Sequence, residues 1–231
     1  MAVDRANFCT LKNANFNNAN RGRIYQYCIW ADAQPDGWSG ISDPHINAAQ
    51  TDFDGPGDDF LVTFDNFSNP FQTNRSMVET FVHELGHNLQ QRHGGSTHFA
   101  YAPVYNSIMS YSWQLRTGRT DNWRVQHPVY SPFYYGLNGA TEPAGALPAA
   151  PGTVTDYSSG MGRNLVEAHL NETVGLYNGI AIDWNNDGDM VDVNVSKDLN
   201  GDGDTQDTLR DYDNWSALIY SGPRQNGGSC N

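Results

Sequence analysis

The sequence predicts an α+β protein whose strands and main helix lie in its first half. Residues 22–33, RGRIYQYCIWAD, alternate in polarity and are rich in aromatic and β-branched residues, which predicts a strand. A second strand is predicted at 59–64, after a segment of turn-forming residues. Residues 76–91 predict a helix, because apolar residues recur at helical spacing and Ser76 and Glu79 form a capping-box pattern.

The second half of the chain has a different character. Proline, glycine and aromatic residues dominate from Gly95 to about residue 160. Residues 164–177, NLVEAHLNETVGLY, predict a short helix. Residues 183–213 are polar and rich in aspartate, and they lack the periodicity of a core element. We therefore expect irregular structure after the predicted helix at 76–91.

Composition excludes some partners. The chain has 231 residues, of which 13 are basic and 26 acidic, so its formal net charge is -13. Nucleic acids and anionic membranes bind basic surfaces, so neither is expected as a partner. No apolar run approaches the roughly 20 residues that span a bilayer. The first ten residues contain no apolar signal-peptide core, which indicates either a cytosolic protein or one trimmed to its mature part.

The three cysteines leave the redox state open. Cys9 and Cys28 flank the first folded segment and are candidates for a bridge, which would leave Cys230 unpaired. Three unrelated thiols fit the sequence equally well.

The segment HELGH, residues 83–87, has the spacing of a metal-binding helix. On a helix, His83 and His87 lie one turn apart on one face, almost opposite the apolar stripe that we expect to enter the core. Glu84 is rotated away from that face and suits a water molecule on the metal better than direct ligation. The motif therefore predicts two zinc ligands, His83 and His87, and a general base, Glu84.

A catalytic zinc site needs a third protein ligand. His93, six residues after His87, is the candidate, with His98 in reserve. This arrangement resembles the metzincin clan of zinc endopeptidases, whose pattern has glycine where this chain has Gln90. In that clan the glycine turns the chain sharply, so that the third histidine reaches the metal. A left-handed residue with a β-carbon costs about 1–2 kcal/mol that glycine avoids, and metal binding offsets such a cost.

A second part of the resemblance is NSIMSY, residues 106–111, which is similar to the metzincin Met-turn. The resemblance implies that Met109 forms an apolar floor beneath the histidines. It also implies that Tyr111 approaches the zinc and steadies the developing oxyanion. With HELGHNL, RHGG, DYSSG and LNETVGL in this order, the chain looks like a group of secreted bacterial proteases of this clan.

The resemblance implies a single catalytic domain over residues 1–231. Its upper subdomain, about 1–94, would hold a twisted mixed β-sheet and the active-site helix. Its lower subdomain, about 95–231, would be irregular. The implied function is a zinc-dependent metalloendopeptidase in which a zinc-bound water attacks a peptide carbonyl and Glu84 is the general base. We expect a secreted monomer that acts on protein or peptide substrates, with the strand at 59–64 as the edge that pairs with substrate.

Two aspartate-rich segments predict calcium loops. Residues 183–192 and 198–207 share the pattern D-x-N-x-D-G-D-x-x-D, which places oxygen donors at positions 1, 3 and 5 and glycine at position 6. Position 12 is Asn194 or Leu209 rather than the bidentate glutamate of an EF-hand, and the position-10 aspartates are candidates to replace it, as in the dockerin and thrombospondin-type loops that these segments resemble. The candidate donors are Asp183, Asn185, Asp187, Asp189 and Asp192 in the first loop and Asp198, Asn200, Asp202, Asp204 and Asp207 in the second.

Two other functions fit the same residues. One is a calcium-dependent binding or adhesion module with an inactive zinc site, which Gln90 favours and Glu84 disfavours. The other is a zinc amidase acting on a non-protein amide, because the same carbonyl chemistry serves many amides.

Overall fold

The computed structural model has a mixed α+β fold with a small mixed sheet and three α-helices among the residues it describes. Those residues are 3, 5–16, 25–34, 37–42, 59–64, 74–96, 104–105, 107–110, 114, 156–162, 164–175, 181–185, 187–199 and 203–220. In chain order the elements are α1 (Arg5–Asn15), β1 (Tyr27–Ala31), β2 (Gly40–Ser42), β3 (Asp59–Thr63), α2 (Asn74–Asn88), β4 (Leu165–Val166), a 3-10 helix (Glu167–His169), β5 (Thr208–Leu209) and α3 (Asn214–Ala217).

The chain divides into two compact units. The first unit comprises Met1–Gln91 together with Ala217–Asn231, and the second comprises Arg92–Ser216. The sequence pattern carries no sign that the residues from Ala217 onward belong with the first unit.

The first unit contains a three-stranded sheet in the order β1-β3-β2. β1 runs parallel to β3, with Tyr27 opposite Asp59, and β2 runs antiparallel to it, with Ile41 opposite Leu61. The two predicted strands are confirmed as β1 and β3, whereas β2 forms in a segment that we expected to be turns. Because β3 is the central strand, the prediction that it is a free edge for substrate is wrong.

Helix α1, which the sequence analysis did not predict, packs on this sheet. Val3 and Phe8 form a core cluster with Ile29 of β1 and Leu61 of β3. Lys12 forms a buried ion pair with Asp59, whose other carboxylate oxygen accepts a hydrogen bond from the backbone of Tyr27. A buried ion pair is stable only when its remaining polar atoms are bonded, and the Tyr27 contact meets part of that need.

Helix α2 contains two of the predicted metal ligands, His83 and His87, and the predicted base Glu84, but its faces differ from the prediction. It begins at Asn74, so Ser76 lies inside the helix and is not the N-cap that the capping-box pattern predicts. Residues Thr80, Glu84 and Asn88, spaced by four, face β2: a β-carbon at Gly40 would lie 2.6 Å from Thr80 and Glu84, and Asn88 bonds to Ser42.

The apolar stripe of α2 is only partly covered. Val78 is 50% exposed, and Phe81 stacks on Trp30 with 5.8 Å between ring centroids. The expectation that the apolar stripe enters the core therefore holds only in part, and polar residues of α2 are buried as well. The missing side chain at Gly40 lets the strand approach the polar side of the helix closely enough to bury it.

The second unit is built from short pieces. The described part of the helix predicted at 164–177, residues 164–175, does not form that helix: β4 and the 3-10 helix occupy 165–169, and β4 pairs antiparallel with β5. A cluster of buried residues holds this region together, comprising Val104, Leu165, Leu170, Ile182, Trp184, Val195 and Leu199.

Cys9 is disulfide-bonded and Cys28 is a free thiol, so the Cys9–Cys28 bridge is not formed. Cys230 lies outside the described residues. Burial raises the pKa of the Cys28 thiol to about 12, and the nearby carboxylates of Glu84 and Asp59 raise it further. In the part of the chain that is described, no helix has the length and apolar character needed to cross a membrane.

Candidate metal centre

The two histidines of HELGH lie on adjacent turns of α2 with their rings facing each other. The Nε2 atoms of His83 and His87 are 3.1 Å apart, and the ring planes meet at 86°. His83 is buried and His87 is half-buried. The helix therefore presents two imidazole nitrogens to one point, as the four-residue spacing predicts.

The chain turns sharply directly after α2, at Gln90. Gln90 has a φ of 67°, and it is the only residue other than glycine with a positive φ in the described part of the chain. The N–H of Gln90 donates to the carbonyl of His87 (2.9 Å), and the N–H of Gln91 donates to that of Gly86 (2.8 Å). These two bonds form a Schellman motif, which satisfies the last carbonyls of the helix. Gln90 thus adopts the left-handed conformation that the resemblance to metzincins implies for this position, where that clan has glycine.

The turn returns the chain so that His93 joins the two helical histidines. The ligand atoms of His83, His87 and His93 all lie within 4.8 Å of one another, so the group could hold a metal ion. His98, the reserve ligand, lies outside the described residues.

His87 has a second contact that fixes its ring. Its Nδ1 atom lies 2.9 Å from the backbone carbonyl oxygen of Gln91, to which it donates a hydrogen bond. With the proton on Nδ1, the Nε2 lone pair faces His83. Burial lowers the pKa of His87 to about 4, and the bond to Gln91 opposes this shift. The ring is therefore neutral at physiological pH, which is the form that binds metal.

Glu84 is a buried carboxyl group held against β2. The backbone N–H of Ser42 donates to its carboxylate, and Gly40 leaves the room in which it lies. Burial raises the pKa of Glu84 to about 8, and the bond from Ser42 opposes the shift. A carboxyl group with a pKa near neutrality can both accept and return a proton at physiological pH.

We compared the chain with known proteins by sequence and by structure. No protein-family model, no curated protein and no solved structure matches it.

The predicted Met-turn is described in part. Met109 is fully buried in a turn in which the N–H of Ser110 donates to the carbonyl of Ser107, and the N–H of Met109 donates to the hydroxyl of Ser107. The N–H of Ile108 donates to the carbonyl of Asp156 (2.9 Å). Tyr111 lies outside the described residues.

The first aspartate-rich loop is closed by hydrogen bonds from its backbone N–H groups to its own aspartates. One Asp183 oxygen accepts from the N–H of Asp187 (3.2 Å) and the other from the N–H of Gly188 (2.9 Å), whose φ is 101°. Asp187 and Asp189 each accept from the N–H two residues later. The carboxylate at position 1 of the loop thus accepts hydrogen bonds from the backbone N–H groups at positions 5 and 6.

The second loop repeats what is described of the first. Gly203 has a φ of 100°, and its N–H donates to Asp198 (2.9 Å), as Gly188 does to Asp183. Asn200 and Asp202 lie outside the described residues.

Each loop is anchored on a buried glutamate that the sequence analysis missed. Glu172 accepts from the N–H groups of Trp184 (2.9 Å) and Asp192 (3.1 Å), and its own N–H donates to the carbonyl of Asp192. Carboxylate oxygens of Glu172, Asp189 and Asp192 lie within 4.8 Å of one another and could hold a metal ion.

Glu167 contacts the second loop as Glu172 contacts the first. Each partner of Glu167 lies fifteen residues after the corresponding partner of Glu172. Glu167 accepts from the N–H of Leu199 (2.6 Å), and its own N–H donates to the carbonyl of Asp207 (3.0 Å). The sequence signal for both glutamates was EAHLNE, residues 167–172, in which two acidic residues share an apolar segment with Leu170. The prediction of a short helix over 164–177 assigns these two glutamates, five residues apart, no part in the loops.

Proposed function

We propose that the chain is a zinc-dependent endopeptidase of the metzincin type. The observation that carries this proposal is the convergence of the ligand atoms of His83, His87 and His93 within 4.8 Å, beside the buried Glu84 of α2. Three imidazoles fit zinc in a catalytic site, where a fourth position stays open for water or substrate. A structural zinc site has no use for a carboxyl group beside its ligands, so Glu84 favours an enzyme over an adhesion module.

The residues of the chain would share the chemistry as follows. Zinc bound to the three histidines would polarise the substrate carbonyl and make water a stronger acid. Glu84 takes a proton from the attacking water on a carboxylate oxygen. As the water oxygen bonds to the carbonyl carbon and the C–N bond breaks, Glu84 gives that proton to the leaving amine. The Ser42 N–H holds the carboxylate in one orientation between these two transfers.

We assign the substrate-pairing edge to β2 rather than to β3. β2 pairs with β3 along one side, and within the described ranges no strand pairs with its other side. An extended peptide can add to such an edge through main-chain hydrogen bonds. Ser42 of β2 contacts Glu84, so a peptide on this strand lies close to the proposed base.

The role of Tyr111 at the oxyanion and that of Met109 beneath the histidines rest on the resemblance to metzincins.

We further propose that the two aspartate-rich loops bind calcium. The support is the clustering of Glu172, Asp189 and Asp192 and the repetition of the same hydrogen bonds in both loops. Oxygen-only donor sets of this kind suit calcium. Glu172 would add to the first loop a carboxylate that its motif lacks at position 12.

The proposal includes secretion and a protein or peptide substrate, with the chain acting as a monomer. The disulfide at Cys9 supports secretion, since such bonds persist in oxidising compartments. The net charge of -13 disfavours nucleic acid and anionic membranes as partners.

The test is zinc analysis combined with digestion of an unfolded protein, comparing wild type with Glu84→Ala. We expect the variant to retain zinc and lose nearly all cleavage, because the base is removed and the ligands remain. Glu79→Gln is the matched control, because Glu79 is another buried carboxyl group on α2, and we expect it to cleave. Equal cleavage by wild type and Glu84→Ala would refute the mechanism. Zinc binding by a wild type that cleaves small amides and no peptides would favour the amidase.

A further inference from the structure

The C-terminal end of α2 is tied to a distant part of the chain, the segment Ala217–Tyr220, which we call the return segment. The N–H of Ile219 donates to the carbonyl of Leu89 (3.2 Å). The side-chain amide of Gln91 donates to the carbonyls of Ala217 (3.0 Å) and Leu89 (3.1 Å). Leu89 and Gln91 are thus both bonded to the return segment, although about 126 positions separate Gln91 from Ala217.

Gln91 connects this segment to the metal centre. Its backbone N–H donates to Gly86 and closes the helix, and its backbone carbonyl accepts from Nδ1 of His87 at 2.9 Å. The residue is buried, with 3% of its surface exposed. The carbonyl can orient the His87 ring only if Gln91 itself is fixed, and the return segment supplies the bonds that fix its side chain.

We propose that Gln91 is a positioning residue for His87 and that the return segment holds Gln91 in place. A neutral histidine has two tautomers, and the carbonyl of Gln91 selects the one with its proton on Nδ1. That tautomer directs the Nε2 lone pair towards His83, 3.1 Å away. Partners of this outer kind fix the orientation of metal-binding histidines. The inference deepens the proposed metal centre and rests on it.

The first experiment is a zinc titration of Gln91→Met against a competing chelator. Methionine has a similar length and keeps the backbone carbonyl, but it cannot donate to Ala217 or Leu89. The carbonyl that orients His87 is then no longer held in place, and we expect zinc affinity to fall by up to the roughly 10- to 100-fold that an outer partner of a metal ligand is worth. Asn15→Ala is the matched control, because Asn15 makes the same kind of bond, to the carbonyl of Leu11, at the end of α1 (2.8 Å). Its zinc affinity should equal that of wild type.

A second pair of variants tests the return segment without changing Gln91. Ile219→Pro removes the N–H that bonds to Leu89, and Ile219→Ala keeps it. The side chain is 51% exposed, so the difference between the two variants isolates the hydrogen bond. We expect weaker zinc binding in the proline variant than in the alanine variant.

The tautomer of His87 is measured in the metal-free protein by long-range 1H–15N NMR, which separates this inference from the proposed function. We expect the Nδ1–H tautomer in wild type and a mixture in Gln91→Met and Ile219→Pro. Loss of the single tautomer supports the positioning role even if the protein neither cleaves peptides nor binds zinc. An unchanged tautomer in both variants, with folding intact, overturns it, as does zinc affinity equal to wild type in both.

Discussion

The Nε2 atoms of His83 and His87, on adjacent turns of α2, lie 3.1 Å apart. Two Zn–N bonds of about 2.0–2.1 Å that meet at the tetrahedral angle separate their nitrogens by about 3.3 Å. The helix therefore holds the two imidazoles close to the separation that zinc needs.

Gln90→Gly should make the protein as stable as wild type or more stable by up to about 1 kcal/mol. Glycine avoids the cost of about 1–2 kcal/mol that a β-carbon brings at positive φ, and its greater freedom in the unfolded chain offsets part of the gain. Zinc binding should be retained. Gln90→Ala is the control, since alanine keeps the strain. Urea denaturation that finds Gln90→Gly less stable than Gln90→Ala would show that the turn carries no strain.

The stability of the metal-free protein should fall between pH 6.5 and pH 8 because of Glu84. Its pKa is raised to about 8 in the folded state, so the folded protein holds a proton that the unfolded chain releases above about pH 4.5. His87 acts in the opposite direction but at lower pH: its pKa is lowered to about 4, so its contribution rises with pH only up to about 6.5.

Chemical denaturation of metal-free wild type and Glu84→Gln at pH 6.5 and pH 8 checks this prediction. The wild type should lose stability with a slope of at most about 1.4 kcal/mol per pH unit from this group, and the glutamine variant should lose less. Parallel pH profiles for the two proteins would contradict the assignment.

Removing calcium, with zinc kept saturated, should lower the melting temperature and open residues 180–213 to proteolysis. The acidic side chains of the loops repel one another without a cation, and a ligand present at about 100 times its Kd stabilises a fold by roughly 2.7 kcal/mol. Glu172→Gln should sensitise 183–192 most, and Glu167→Gln should sensitise 198–207. A melting temperature and a cleavage pattern indifferent to calcium would refute the calcium assignment.

The sequence predicted the parts of the fold and site that depend on local pattern. Aromatic and β-branched alternation located β1 and β3, and the four-residue spacing in HELGH placed His83 and His87 on one face of a helix. The left-handed turn at Gln90 was implied by the resemblance to metzincins, in which a glycine at this position turns the chain sharply.

The features that the sequence did not predict depend on contacts between residues distant in sequence. β2 is three residues long in a segment of turn formers, and it forms because β3 pairs with it. The polar face of α2 is buried because Gly40, far away in sequence, has no side chain. Glu167 and Glu172 bond to loops that begin more than ten residues after them. The side chain of Gln91 bonds to the carbonyl of Ala217, 126 residues later. Hydrophobic periodicity within one segment cannot predict contacts between residues that are far apart in the sequence.

The most direct test of the metal centre is a zinc titration that compares His93→Ala with His98→Ala. We predict that His93→Ala loses zinc affinity by more than the roughly 10- to 100-fold that an outer partner is worth, because a ligand itself is removed. His98→Ala should bind zinc as wild type does. Wild-type affinity in His93→Ala, together with a severe loss in His98→Ala, would contradict the assignment of His83, His87 and His93 as the ligands of one zinc ion.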